Sequence, residues 1–196
     1  ETLLEWYAEY QMYCILYTPV GTGKTMFTYF LAQRLFHRDF FPIVLSCREF
    51  EQVNPQDIIS FREHLARRFC GRPGDRLSTE DILIILKENK DEIVFFFDGL
   101  DQITDARYPD IVEKIRDICK DYSFFVTSRP SAVRAFEEDE DAHFLRILPF
   151  TWKQAARYFG RDYDRVKKMI SFAPDAVTIP MLAYMVKKLA GDGYFD

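Results

Sequence analysis

The chain has 196 residues, of which 48% are hydrophobic and 29% charged, the composition of an ordinary globular protein. Its 26 Lys and Arg stand against 31 Asp and Glu, a formal charge of −5, which argues against a surface built to hold nucleic acid or another polyanion. A chain of this length buries roughly 70% of the surface its unfolded form exposes, and its longest apolar runs, Ile82 to Leu86 and Ile93 to Phe97, fall far short of the roughly 20 residues of a spanning helix.

One full core, or one and a half, and no membrane partner are therefore expected. Cys14, Cys47, Cys70 and Cys119 show no CxxC pairing and no neighbouring histidine ligands, so they read as reduced, mostly buried thiols of a cytoplasmic protein rather than as zinc ligands. The chain opens at Glu1 with no secretory pattern and is expected to be a piece of a larger protein.

Thr2 with Glu5 fits a capping box, with Leu3, Leu4, Tyr7 and Tyr10 or Met12 on the apolar side of a short first helix. Tyr13 to Tyr17 predicts a strand that ends at Thr18, Pro19 and glycines, after which Met26, Phe27, Phe30, Leu31 and Leu35 recur at helical spacing. Ile43 to Cys47, after Pro42, predicts a second strand. Asn54 and Pro55 supply an N-cap and a first-turn proline for a helix reaching about Phe69. Ser78 with Asp81 starts another helix through about Lys87.

Ile93 to Phe97 is apolar throughout and breaks at Asp98-Gly99, which predicts a strand covered on both faces. A helix carrying Ile111, Val112, Ile115, Ile118 and Cys119 follows, then a strand from Ser123 to Thr127. An acidic stretch from Glu137 to Asp141 reads as a solvated loop, and Phe144 to Leu148 predicts a fifth strand. Alternation of strand and helix defines an α/β fold. After Phe150 only helices are predicted: one capped by Thr151 and Gln154, one holding Val166, Met169 and Ile170, and one following Pro180. That change predicts a boundary between an α/β domain, 1–150, and a helical subdomain, 151–196.

The most informative segment is Thr18-Pro19-Val20-Gly21-Thr22-Gly23-Lys24-Thr25, followed by Met26. It fits GxxxxGK[ST] except that Thr18 stands in the first Gly position. A glycine-rich turn between strand and helix points successive N–H groups into one cavity, and the helix dipole adds favourable potential for phosphate. Lys24 is placed to reach the β and γ phosphates and the Thr25 hydroxyl to ligate Mg²⁺. A turn that only links strand to helix has no need of Lys then Thr at the helix start. Thr18 disfavours the turn if its φ is positive.

An acidic residue at the end of another buried strand completes such a site, and Asp98 stands there, predicted to hold Mg²⁺ through water. Asp101 is the next carboxylate able to face the γ-phosphate and orient an attacking water. Gln102 can hydrogen-bond but cannot accept a proton. Thr127-Ser128-Arg129-Pro130 ends the fourth strand, where a polar group and a guanidinium can sense or neutralise the γ-phosphate.

These segments, together with Leu45-Ser46-Cys47-Arg48-Glu49-Phe50, resemble the NACHT family within the STAND class of P-loop NTPases. Gly99 directly after Asp98, with a further acid downstream, is the most distinctive feature, because AAA+ ATPases usually place Glu directly after the strand-ending Asp. The resemblance implies a five-stranded parallel sheet of order 5-1-4-3-2 flanked by helices and followed by a small all-α subdomain. It implies ATP or ADP with Mg²⁺ as cofactors, and Pro180, in Thr178-Ile179-Pro180, as the proline that packs on adenine. It also implies winged-helix, sensor and effector domains as partners in the full-length protein, a homo-oligomer on activation, and an innate-immune or antiviral defence role. The family commonly has an acid where Gln102 stands, which implies slow hydrolysis.

Other motifs do not compete. Asn89-Lys90-Asp91-Glu92 approaches the guanine-reading NKxD but ends in Glu and precedes the Asp98 strand, which favours adenine. His37, His64 and His143 have no ligand spacing. Four functions stay open: a nucleotide switch, a turning-over ATPase of AAA+ type, a small-molecule kinase, and a degenerate nucleotide-binding scaffold.

Overall fold

The computed structural model describes residues 13–50, 58–69, 78–103, 108–136, 140, 142–171 and 173–191. The predicted helix in the first twelve residues, the Asn54-Pro55 cap, Cys70 and most of the acidic stretch lie outside the described residues. Five strands form one sheet in the order β2-β3-β4-β1-β5, which is the expected order viewed from the other edge. They are β1 (Cys14–Tyr17), β2 (Phe41–Ser46), β3 (Ile93–Asp98), β4 (Ser123–Ser128) and β5 (His143–Arg146), and every adjacent pair is parallel. The helices are α1 (Lys24–Phe36), α2 (Cys47–Phe50), α3 (Ile58–Phe69), α4 (Thr79–Glu88), α5 (Tyr108–Ile118), α6 (Pro130–Val133), α7 (Trp152–Phe159), α8 (Tyr163–Met169) and α9 (Pro180–Gly191).

Because side chains alternate across a strand, the sheet feeds two separate cores. Ile15, Ile43, Leu45, Phe95, Phe97, Phe124 and Val126 face α3, α4 and α5. On the other face Cys14, Leu16, Val94, Phe96 and Phe125 pack on Leu31, Ala32 and Leu35 of α1, and Phe96 stacks on Phe125 at 4.9 Å. The apolar run of β3 is buried residue by residue, as the absence of alternation predicted. Cys14, Cys47 and Cys119 are buried and free. Burial pushes the Cys14 thiol up to about 12, and burial together with Asp98 and Asp101 raises Cys47.

β1, β3 and β4 each differ from their predicted bounds by one residue at one end, and β2 and β5 differ at both ends. β2 begins before Pro42 rather than after it, which is possible because β2 is an edge strand and the missing N–H falls on the unpaired side. β5 starts and ends earlier than Phe144 to Leu148. It pairs only with β1, from Cys14↔His143 to Tyr17↔Arg146, and β1 stops where the phosphate loop turns away, so Leu148 has no strand to join and is exposed.

The helical tail buries a smaller cluster of its own, Ala155, Phe159, Val166, Ile170, Val177 and Ala183. Thr151 caps α7 by accepting from the Gln154 amide while Gln154 accepts from the Thr151 amide. Among the described residues, no helix is long and apolar enough to cross a membrane.

Candidate nucleotide site

The phosphate loop lies between β1 and α1, at the carboxyl end of the sheet where β1 has β4 on one side and β5 on the other. Crevices of this kind, where the winding direction changes, are the usual ligand sites of open α/β sheets. Gly21 and Gly23 take φ of 82° and 92°, values that L side chains rarely adopt. Gly23 is the N-cap of α1 and no side chain caps that end, so the first amides of the helix are left for an anion.

Thr18 does not impose the expected strain, since Asp39 is the non-glycine residue with positive φ among those described. Its side chain is buried; its hydroxyl donates to the Ile147 carbonyl at 2.7 Å and lies 2.6 Å from the Thr22 hydroxyl, which donates to the Pro19 carbonyl at 2.7 Å. Thr18 thus ties the loop to the chain leaving β5, a bond that glycine could not make. Val20 and Met26 are exposed at the rim, Met26 by 74%.

The predicted charged residues converge here from three elements. Thr25 donates to Asp98 Oδ2 at 2.8 Å. Lys24 Nζ and Arg129 Nε approach the two oxygens of Asp101 at 3.8 and 2.7 Å. The Asp101 side chain is only 4% exposed, whereas Arg129 is 48% exposed, so one carboxylate is held almost dry between two cations. Gly99, with φ of 82°, makes the turn after β3 from which Asp101 meets Arg129 beyond the end of β4; Gln102 lies across that glycine, where a Cβ would stand 2.5 Å from its Nε2. Gln102 is exposed, and its side chain lies over Gly99 rather than pairing with Lys24, Asp101 or Arg129. Arg48 Nε reaches the Gln102 carbonyl at 3.4 Å.

Pro180 opens α9 beside the loop: the Met181 N–H donates to the Gly21 carbonyl at 3.0 Å, and Ile179 Cγ2 would stand 3.1 Å from a Cβ at Gly21. Sequence reasoning missed Ile147 and Met181 as partners of the loop, because both act through backbone atoms that any residue carries. Thr127 lies in the segment expected to offer a polar group to the γ-phosphate; its hydroxyl donates to Asp98 Oδ1 at 2.5 Å and accepts from the Gly99 amide at 2.9 Å, bonds that the sequence does not foretell.

Among the described residues no cluster of three or more His, Cys, Asp or Glu could hold a metal. A magnesium site of the P-loop kind does not require one, since Mg²⁺ is commonly held by one or two protein oxygens, waters and the nucleotide phosphates. The adjacent oxygens of Thr25 and Asp98 are the hard donors that ion prefers, and they fit it.

A parallel five-stranded sheet of this order, with a glycine loop on β1 and an acid ending β3, defines a P-loop NTPase in which one strand, β4, separates the loop strand from the acid strand. Within that class the chain belongs to the NACHT family, whose NACHT domain it matches over residues 12–165. No curated protein matches the chain in sequence. Among solved structures, the replication initiator DnaA bound to AMPPCP and single-stranded DNA is 14% identical, with a TM-score of 0.55 over 98% of this chain and 60% of that one. A DNA replication initiation factor gives 14%, 0.54, 98% and 60%. A signal transduction ATPase with numerous domains and a tetratricopeptide repeat sensor, from Pyrococcus horikoshii, gives 11% and 0.44 over 90% of this chain and 28% of that one. At these identities the likeness is one of fold, and the chain spans at most about 60% of the length of the initiators it resembles.

Proposed function

We propose that this NACHT domain is an ATP- and ADP-binding switch that works with Mg²⁺, in which exchange of one nucleotide for the other controls assembly of the full-length protein and hydrolysis is slow. The observation that carries the reading is the meeting of Lys24, Thr25, Asp98, Asp101 and Arg129 at the open N-terminus of α1. The loop from Thr18 to Thr25 cradles the diphosphate through backbone amides, and Lys24 turns from Asp101 to the β and γ phosphates. Thr25 and Asp98 hold Mg²⁺, which neutralises phosphate charge when bound. Arg129, more exposed than its partner, reads the γ-phosphate.

Asp101 is the candidate to orient the attacking water. Its two oxygens are already engaged by Lys24 and Arg129 and Gln102 next to it carries an amide in place of a carboxylate, and both favour slow turnover. That favours the switch over a turning-over ATPase of AAA+ type. Pro180 is the residue assigned to the adenine face, and the tail from 151 onward is read as a separate helical subdomain that senses the loop through Met181 and Gly21. The reading extends, on family membership alone, to a defence role and assembly with winged-helix, sensor and effector domains in the cytoplasm.

The test is to denature the purified protein and identify released nucleotide by chromatography, with Lys24→Ala prepared alongside. Near-stoichiometric ADP from the parent and none from Lys24→Ala is the expected result. Added nucleotide at a hundred times Kd should stabilise the parent by about 2.7 kcal/mol, a rise in Tm of about 5–10 °C for a chain of this size, and leave Lys24→Ala unmoved. An equal rise in both proteins would remove Lys24 from the site.

A further inference from the structure

Thr127 is the penultimate residue of β4 and is wholly buried. A threonine hydroxyl has one proton to give and lone pairs to receive, and here the neighbours fix where each goes. The Gly99 N–H donates to Thr127 Oγ1 at 2.9 Å, so the hydroxyl's own proton is directed to Asp98 Oδ1, 2.5 Å away. The opposite carboxylate oxygen, Oδ2, accepts the Thr25 hydroxyl at 2.8 Å. Ser128 takes no part, since its hydroxyl donates to the Arg129 carbonyl at 3.1 Å.

A carboxylate anchored through one oxygen loses the freedom to rotate about its terminal torsion, and the other oxygen is then presented in a fixed direction. From this chain of bonds we propose that Thr127 is a positioning residue for the divalent cation that accompanies the nucleotide, holding Asp98 so that Oδ2 faces Thr25, and that it does not contact phosphate. The proposal rests on the reading that a Mg²⁺-nucleotide binds at the phosphate loop. The same hydroxyl holds the Gly99 amide, so it also secures the turn that carries Asp101 to Lys24 and Arg129. Groups that orient a metal ligand in this way typically alter metal affinity by roughly 10- to 100-fold when removed.

The experiment measures binding of the non-hydrolysable triphosphate AMPPCP by calorimetry across a Mg²⁺ titration and in EDTA, for the parent, Thr127→Val and Thr127→Ser. Valine keeps the shape and loses the hydroxyl, whereas serine keeps the hydroxyl and loses a methyl. The expected result is an unchanged Kd in EDTA for all three, a Mg²⁺ midpoint raised roughly 10- to 100-fold in Thr127→Val, and a near-parental midpoint in Thr127→Ser. If Thr127→Val does not fold, Thr127→Cys carries the test, because a thiol holds the volume but is a weak donor; its midpoint should also rise.

An unshifted midpoint in the valine or cysteine variant overturns the proposal. So does equal weakening of binding with and without Mg²⁺, which would place Thr127 in the support of the loop alone, or a serine variant as impaired as the valine one. A parent that binds AMPPCP no better in Mg²⁺ than in EDTA overturns the proposal through the cation, and a parent that does not bind AMPPCP at all overturns the nucleotide reading beneath it.

Discussion

The sheet and the helical tail solve the same packing problem at different depths. β3 is covered on both faces, with Val94 to Phe97 inaccessible to solvent, and its aromatic rings interlock with those of the neighbouring strand and α3, as in the Phe96–Phe125 stack and the Phe61–Phe95 contact at 5.9 Å. The tail closes over six buried residues and leaves Met181, Tyr184, Met185 and Leu189 of α9 exposed. Backbone bonds tie the tail down, Phe150 N–H to the Thr178 carbonyl at 2.7 Å and Met181 N–H to the Gly21 carbonyl at 3.0 Å, and the side chains of Ile179 and Met181 lie against Gly21. The sheet is therefore rigid by packing, while the tail is registered to the phosphate loop by hydrogen bonding and by that contact.

The largest effect that should separate the two regions comes from removing an aromatic ring in each. Phe96→Ala opens a hole between α1 and the sheet and should cost about 3–5 kcal/mol, lowering the global melting transition. Phe159→Ala removes a ring of equal size from the tail cluster. Because that cluster is small, its loss should show as faster proteolysis and amide exchange across α7 to α9, with the exchange of β3 and β4 unchanged. Equal loss of protection in both regions would mean that they unfold as one unit.

The sheet half was far more legible in the sequence than the tail's connection to it. Ile93 to Phe97 reads as a doubly covered strand because nothing in it is polar, and the loop from Thr18 to Thr25 reads as a phosphate site because glycine, lysine and threonine are each required there by backbone geometry or charge. The meeting of Lys24, Asp98, Asp101 and Arg129 followed from strand ends known to lie side by side in such sheets. The contact of Met181 with Gly21 left no trace, since it is made by an amide and a carbonyl. The condition on which Thr18 would strain the turn is not met, and the reason is related: the sequence shows a departure from glycine, but only the fold reveals that the hydroxyl finds the Ile147 carbonyl. The bounds of β5 were set by the length of β1, and local composition does not carry that information.

An intermediate effect isolates the loop-to-tail contact itself. Gly21 and Gly23 share a positive φ, yet a Cβ at Gly21 meets Ile179 Cγ2 at 3.1 Å while at Gly23 nothing lies within 4 Å. Alanine at either position should cost about 1–2 kcal/mol for the left-handed backbone. Gly21→Ala alone should push on α9, so amide exchange at residues 180–184 should accelerate in Gly21→Ala and not in Gly23→Ala. Equal acceleration in both would assign the effect to the loop backbone rather than to the contact.

The smallest effect compares two caps of nearly the same geometry. Ser78 and Asp81 close a capping box on α4, with the Ser78 amide donating to Asp81 Oδ2 at 2.7 Å and the Asp81 amide to the Ser78 hydroxyl at 3.1 Å. Thr151 and Gln154 do the same on α7 at 2.8 and 3.2 Å. The bonds from the Ser78 backbone, and then from its hydroxyl, hold the Asp81 carboxyl below its ordinary range, so folding favours the ionised form. That contribution is present above the unfolded value, about 4, and is lost as the pH falls through the lower folded value. Gln154 carries no charge to lose. Between pH 6 and pH 2.5, amide exchange corrected for its intrinsic rate should accelerate at residues 79–82 and hold steady at 152–155, and Asp81→Asn, which converts the first cap to an uncharged one, should abolish the difference in pH response. A pH response that persists in Asp81→Asn would place the titrating group elsewhere.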